Sequence, residues 1–313
     1  MIVTVTPNPA LDLTWQVAAL AIGQTHRADA GAVRAGGKGL NVARVAHAEG
    51  ADVLAITTVG GNTGEEFAAE LRASGAPHVL VPVQAPTRRS AALVDLHLGD
   101  TTIVNERGLN PTDEEWASLH RAVDGALPTA SVLVISGSLP PGAPEAELAA
   151  LIEGGRRARV PVIVDTSGPA MLQAADAGAT VLKPNAVELA EATGRTDPAD
   201  GARELIDRGA ELVLVSLGAD GMLAVTASGL HRARLPEPLI GNPTGAGDAA
   251  VAACAVLLAA GVREPAEILR RATAWSAAAV LMPLAGEIDA GWAELEQRVE
   301  ISVLPGRREE EQA

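Results

Sequence analysis

Apolar stretches of strand length alternate along this chain with stretches of helical apolar spacing, and that alternation limits the fold more than any other feature. Residues 2–6, 53–59 and 78–83 read as strands, and residues 41–49 and 64–74 as helices, the first through Val42, Val45 and Ala46. The pattern resumes with strands at 131–136, 160–165, 180–183 and 212–216, and helices at 113–125, 144–159, 186–193 and 200–208. A hairpin at 222–234 precedes helices at 246–260, 265–281 and 290–299. Thr112 with Glu115 has the spacing of a capping box. The alternation predicts an α/β fold: one domain over residues 1–313 with a doubly wound, mostly parallel sheet flanked by helices. Two segments break it, residues 10–34 and a hairpin within 90–105 that turns at Gly99 and Asp100. They predict a small antiparallel β flap, formed by about residues 10–34 and 88–106, with apolar positions Leu13, Trp15, Leu93 and Leu96 exposed. Such a flap covers a site or packs on a second subunit, which predicts a homodimer through the flap.

Charge and composition exclude several classes. With a net charge of −15 the chain as a whole repels a nucleic-acid backbone, so no nucleic-acid partner is expected. One cysteine, Cys254, allows neither an internal disulfide nor a cysteine metal cluster, and its apolar surroundings predict a buried bystander. No histidine pair has metal-ligand spacing. The first strand has no basic run before it, and the longest apolar run, residues 249–260, is too short to span a bilayer. A cytoplasmic protein with no membrane segment is the expectation, with a solvated tail over residues 306–313.

The chemistry concentrates at two glycine clusters. Gly245 and Gly247 lead straight into the apolar helix at 246–260, where the first N–H groups lack internal partners and carry the positive end of the dipole. Gly245, Ala246 and Gly247 thus form an anion hole suited to a transferring phosphoryl group. Asp248 stands in the first helical turn, either as a plain dipole partner or as a base for an attacking hydroxyl. Near the start, Gly36 and Gly37 allow close backbone approach to a ligand, Lys38 offers a charge, and Asn41 offers both a donor and an acceptor. Of 24 basic residues only Lys38 and Lys183 are lysines, and each lies at a Gly or Pro turn shortly before an asparagine. There is no G-x-G-x-x-G after the first strand and no G-x-x-x-x-G-K-[ST], which argues against a dinucleotide dehydrogenase and a P-loop enzyme.

The string Thr244-Gly245-Ala246-Gly247-Asp248 resembles the signature of the ribokinase-like (PfkB) sugar kinase superfamily, and AGGKGLNV at 35–42 resembles its amino-terminal glycine motif. Four further segments follow in family order: TPNPALD at 6–12, SGSLPPG at 136–142, KPNAVEL at 183–189 and SLGADG at 216–221. The resemblance implies an ATP-dependent kinase that uses Mg²⁺, with Asp248 as base. It places Asp12, Gly37, Lys38, Asn41 and Ser138 on the sugar, and Lys183, Ser216, Gly218, Gly221 and Thr244 on the nucleotide. Asn185 and Glu188, the N-x-x-E motif, would help hold Mg²⁺ through water.

TPNPALD, SGSLPPG and the run APTRRSAALVD look closest to the branch that phosphorylates phosphosugars, which includes 1-phosphofructokinase, tagatose-6-phosphate kinase and a minor 6-phosphofructokinase. This implies a second anion site on Arg88 and Lys38, and fructose 1-phosphate as the first substrate to expect. Arg27 could reach in from the flap or from a neighbouring subunit, and Arg89 is equally a solvated surface charge. The chain departs from the family pattern at Asn242-Pro243, ahead of the glycine string. Other readings are a kinase of tagatose 6-phosphate or fructose 6-phosphate, a kinase of an unphosphorylated sugar or nucleoside, and a non-catalytic sugar-phosphate sensor.

Overall fold

The computed structural model describes residues 1–237 and 239–304, so the tail expected at 306–313 lies outside the described residues. The chain opens with β1 (Ile2–Thr6), β2 (Ala10–Val17) and β3 (Ala32–Gly36), followed by α1 (Lys38–Ala48), β4 (Val53–Val59), α2 (Gly61–Ala73) and β5 (His78–Pro82). β6 (Arg88–Asp95) and β7 (Asp100–Asn105) form a hairpin, and α3 (Asp113–Ala126) and β8 (Val132–Ser136) come next. Then follow α4 (Glu145–Arg157), β9 (Val162–Asp165), α5 (Pro169–Asp176), β10 (Val181–Leu182), α6 (Ala186–Thr193), α7 (Pro198–Arg208) and β11 (Leu212–Ser216). The chain ends with β12 (Met222–Thr226), β13 (Gly229–Arg234), α8 (Ala246–Ala259), α9 (Pro265–Val280), α10 (Trp292–Arg298) and β14 (Glu300–Leu304).

The main sheet has ten strands in the order β14-β13-β12-β11-β10-β9-β8-β1-β4-β5. From β5 across to β11 every pairing is parallel, and β12, β13 and β14 extend the sheet antiparallel. β1, β8 and β9 are buried along their whole length, as strands covered by helices on both faces must be. One core lies between the sheet and α1, α8 and α9, the other between the sheet and α3, α4, α5 and α7. α8 is alanine-rich and buried almost all round, which lets neighbouring helices approach it closely. The expected capping box starts α3: Thr112 Oγ1 accepts the Glu115 N–H at 3.3 Å and Glu115 Oε2 accepts the Thr112 N–H at 2.7 Å.

After β1 the chain builds β4 and β5 on one side and returns to β8 on the other, so strand order reverses at β1. In such sheets the crevice outside the carboxyl ends of the strands at the switch is where ligands bind. β2, β3, β6 and β7 form a separate four-stranded sheet above this edge, in the order β3-β2-β6-β7. It is mostly antiparallel, but β2 and β6 run parallel, against the expectation of a wholly antiparallel flap. The reason is that β2 follows β1 and β6 follows β5. Both leave the same edge of a parallel sheet and run outward in the same sense. Of the apolar positions expected to be exposed, Leu96 is, whereas Leu13, Trp15 and Leu93 are half-buried. β3, α5 and β14 are elements the pattern did not suggest. No helix among the described residues is long and apolar enough to cross a membrane.

Leu133, wholly buried in β8 beside β1, has no room to be replaced by a smaller group without a cavity. Leu133→Ala is expected to cost about 2–5 kcal/mol of stability. The measurement is a urea unfolding curve, with a lower midpoint and an unchanged slope.

Candidate active site

α1 and α8 both begin at a glycine with positive φ, Gly37 at 122° and Gly245 at 86°, and neither start has a side-chain cap. A Cβ on Gly37 would lie 2.7 Å from Thr6 Cγ2, and one on Gly245 would lie 2.8 Å from Ala285 Cα, so backbone conformation and space both require glycine. Each helix presents the positive end of its dipole, and although the Ala246 N–H donates to the Pro243 carbonyl at 3.2 Å, those of Gly247 and Asp248 have no backbone acceptor among the described residues. Both ends line one cavity of about 1070 Å³ that runs along the carboxyl ends of the parallel strands, under the small sheet.

The predicted residues all line this cavity, spread along its length. Asp12, Arg88 and Ser138 lie at the end beneath the small sheet. Gly37, Lys38, Asn41, Lys183 and the stretch from Gly245 through Ala246 and Gly247 to Asp248 occupy the middle. Thr244, Asn185, Glu188, Ser216, Gly218 and Gly221 lie toward β10, β11 and the loop before α8. Arg27 and Arg89 are exposed and do not line it. Asn242, where the chain departs from the family pattern, fixes the loop: its Oδ1 accepts the Thr244 N–H at 3.1 Å and its Nδ2 donates to the Pro283 carbonyl at 3.1 Å.

Asp248, only 6% exposed, accepts a hydrogen bond on Oδ2 from Asn41 Nδ2 at 2.8 Å. Burial pushes its carboxyl up, the neighbouring Asp165 pushes it further, and Lys38, the Asn41 bond and Lys183 pull back, leaving it at about 7. Such a group can accept a proton near neutral pH. Lys38 Nζ lies 3.3 Å from Asp165 Oδ1 and 3.7 Å from Glu188 Oε1. Asp165 raises the Lys38 ammonium above its ordinary value, against burial and with help from Glu188 and Asp248. Lys183 Nζ lies 3.6 Å from Asp165 Oδ1, and a Cβ on Gly247 would come within 3.1 Å of it, so this ammonium rests against the start of α8.

Arg88 has other partners. Its Nε donates to the Asn8 carbonyl at 3.2 Å and its Nη1 to the Glu106 carbonyl at 3.1 Å. Asp12 is pushed up to about 6 by burial, against the pull of Arg88 and Arg34. A Cβ on Gly36 would collide with Asp12 Oδ2 at 1.9 Å, so that glycine makes room for the carboxylate. Arg88 and Lys38 thus share one cavity but belong to separate clusters, Arg88 with Asp12 and Lys38 with Asp248.

The N-x-x-E motif starts α6 as a capping box. Asn185 Oδ1 accepts the Glu188 N–H at 2.8 Å, and Glu188 Oε2 accepts the Asn185 N–H at 2.9 Å. The cap occupies one carboxylate oxygen and leaves Glu188 Oε1 toward Lys38 and the cavity. Among the described residues no three or more His, Cys, Asp or Glu side chains gather that could enclose a metal ion. One carboxylate oxygen outside the cap, facing the cavity beside Lys38, fits Mg²⁺, which keeps several waters and takes its other ligands from phosphates.

Sequence reasoning missed Asp165, the last residue of β9, which is fully buried in the middle of the cavity wall. The signal was an aspartate at the carboxyl end of an all-apolar parallel strand. It also missed Asn8, whose Nδ2 donates to the Arg107 carbonyl at 3.1 Å. Leu235, Leu239, Ala277 and Val280 give the far end an apolar wall that no motif announced.

The sequence profile of the pfkB family carbohydrate kinases matches residues 8–289. The chain is 37% identical over 267 residues to the ATP-dependent 6-phosphofructokinase isozyme 2 of Mycobacterium tuberculosis, covering 83% of this chain and 78% of that protein. The structure of phosphofructokinase-2 from Escherichia coli in complex with fructose-6-phosphate superimposes with a TM-score of 0.82 at 31% identity, covering 89% of this chain and 93% of that one. A possible 1-phosphofructokinase from Thermotoga maritima shares the fold with a TM-score of 0.87 at 24% identity, covering 97% of this chain and 100% of that one. The chain belongs to the pfkB family of carbohydrate kinases.

Because Asn41 holds the Asp248 carboxylate down and burial holds it up, Asp248 is expected to titrate near 7, and Asn41→Ala to move it to higher pH. Carbon-13 NMR of aspartate-labelled protein checks both values.

Proposed function

We propose that this kinase transfers the γ-phosphoryl group of ATP to a primary hydroxyl of a fructose monophosphate. The observation that carries this is Asp248, a buried carboxyl near neutral pKa in the first turn of a helix whose glycine start leaves N–H groups free. The acceptor oxygen forms a bond to the γ-phosphorus as the bond from that phosphorus to the β–γ bridging oxygen breaks. ADP leaves with the electron pair, and the acceptor proton passes to Asp248. The N–H groups of Gly245, Gly247 and Asp248 face the charge on the transferring group, while that of Ala246 donates to the Pro243 carbonyl. Lys183 adds a positive charge beside Gly247. Mg²⁺, for which Asn185 and Glu188 would be the water-mediated partners, would neutralise phosphate charge. The apolar wall at Leu235, Leu239, Ala277 and Val280 suits an adenine ring, with Ser216, Gly218, Gly221 and Thr244 on the nucleotide.

Arg88 supplies the second anion site and Asp12 binds the sugar hydroxyls, with Asn41 and Ser138 beside them. A fructofuranose ring carries its two terminal CH₂O groups on opposite sides. Fructose 6-phosphate and fructose 1-phosphate therefore both offer a phosphate at one end and a primary hydroxyl at the other. The names of the two relatives above 30% identity favour fructose 6-phosphate. The segments TPNPALD and APTRRSAALVD favour fructose 1-phosphate. On the same reading the enzyme works in the cytoplasm, where ATP and sugar phosphates occur together.

The small sheet acts as a lid, with one face over the sugar. Its other face carries the cross-strand row Val33, Leu13, Ala91 and Val104, with Val33 and Val104 exposed. A second copy of the chain covers that row.

Asp248→Asn is expected to lower kcat by roughly 10²–10⁴ with an unchanged unfolding curve. Arg88→Ala is expected to raise KM for the phosphosugar and leave KM for ATP in place. A coupled ADP-release assay with fructose 6-phosphate, fructose 1-phosphate, tagatose 6-phosphate and free fructose reads all of these. Equal turnover on free fructose would remove the second anion site from the reading. For the lid, light scattering is expected to give a dimer mass, and Val104→Glu to shift it toward the monomer.

A further inference from the structure

We infer that Asp165 is a positioning residue for phosphoryl transfer: its buried carboxylate sets the two ammonium groups of Lys38 and Lys183 on either side of the Asp248 and glycine centre. This rests on the kinase reading above, and it assigns a role to a side chain that carries none there.

The geometry is specific. Asp165 ends β9, next to β10, whose following residue is Lys183, and it faces α1, which begins with Lys38. One carboxylate oxygen, Oδ1, serves both lysines, at 3.3 Å from Lys38 Nζ and 3.6 Å from Lys183 Nζ. The other, Oδ2, accepts the Ser136 hydroxyl at 3.2 Å. Ser136 ends β8, so three adjacent strands and a helix start converge on this one group. Asp165 is 0% exposed and Lys183 only 4%, so each charge depends on the other for compensation. Burial alone would push the Asp165 carboxyl up, but Lys183 and Lys38 outweigh it, and it stays charged below the ordinary carboxylate value.

Two consequences follow for the reaction. Lys38 opens a helix, where a positive charge opposes the dipole, and α1 has no acidic residue in its first turn to offset it. Its position is compensated from across the cavity, by Asp165 and Glu188. Lys183 is held against Gly247, from where it lowers the Asp248 carboxyl less than Lys38 does. The charged groups that face Asp248 are then Asp165 from β9, Lys38 from α1 and Lys183 after β10. Of these only Asp165 favours a proton on Asp248.

The test compares Asp165→Asn with Ser136→Ala. Both disturb the same hydrogen-bond network, but only the first removes the charge. Asp165→Asn is expected to lower kcat at least tenfold and to raise KM for ATP. It should also move the acid limb of kcat/KM toward lower pH by on the order of one unit, because a negative neighbour of Asp248 is lost and the lysines are freed. Ser136→Ala should leave that limb in place. If Asp165→Asn leaves the limb unmoved, or Ser136→Ala moves it equally, Asp165 is only a structural group and the inference fails. If the only change is a higher Mg²⁺ requirement, Asp165 belongs to the metal's surroundings and the inference also fails. Should Asp165→Asn not fold, Lys183→Met keeps the question open to decision. With the buried lysine gone, the limb should move to higher pH, and an unmoved limb would overturn the placement. Failure of the kinase reading itself looks different: the wild-type protein would show no ADP release with any of the phosphosugars.

Discussion

Two helices start uncapped at glycine and turn their free N–H groups toward the same cavity, and much of the rest of the structure serves to keep them so. An uncapped helix start is costly when buried unless something accepts from its donors. Here the donors face a cavity large enough for an anionic ligand. Short loops preserve the arrangement. Ala285 packs where a Gly245 Cβ would be, Gly286 sits against Asn41 and Arg44, and Glu287 pairs with Arg34 of β3 at 3.0 Å. One loop after α9 thus touches the start of α8, the side of α1 and the root of the small sheet.

The charges in the cavity read as a graded set. A chain of net charge −15 that acts on a polyanion needs local cations that its own carboxylates do not cancel. Asp165 and Glu188 hold Lys38, and Asp165 holds Lys183, while Asp12 faces Arg88. Each lysine is placed by a carboxylate that is itself anchored: Asp165 is fixed in β9, and Glu188 is engaged in the α6 cap. Asp248 is the exception. Among the described residues it has no cation within ion-pair distance and accepts from one neutral side chain, Asn41, so burial leaves it nearer neutrality than any other carboxyl described. On the proposed reading, Asp248 differs in role from Asp165 because their surroundings differ, not their side chains.

Much of this was legible in the sequence because glycine and lysine are hard to place by accident. Gly37 and Gly245 carry positive φ, and the two lysines of the chain both meet Asp165. The residues that escaped notice have no local peculiarity. Asp165 is one aspartate at the end of one buried strand, and only the pairing of β9 with β10 and β8 shows that it meets Lys183 and Ser136. The parallel pairing of β2 with β6 was invisible for a related reason. A hairpin pattern shows where two arms turn, while the direction in which a lid strand leaves the sheet depends on the strand before it. The short β3 overlaps residues already assigned to the flap, and β14 falls in the short stretch between the last expected helix and the tail.

The N-x-x-E segment shows how a motif can carry two demands at once. As a capping box it satisfies both residues' backbone donors, which is sufficient reason for Asn and Glu at that spacing in any helix. As part of this cavity it fixes the Glu188 carboxylate with one oxygen bound and the other directed at Lys38, 3.7 Å away. A carboxylate held by its own helix start keeps one place beside Lys38, and on the proposed reading it serves a hydrated ion from there. The cap therefore supplies the rigidity that the site needs. The two readings of the motif are a single arrangement seen from the helix and from the cavity.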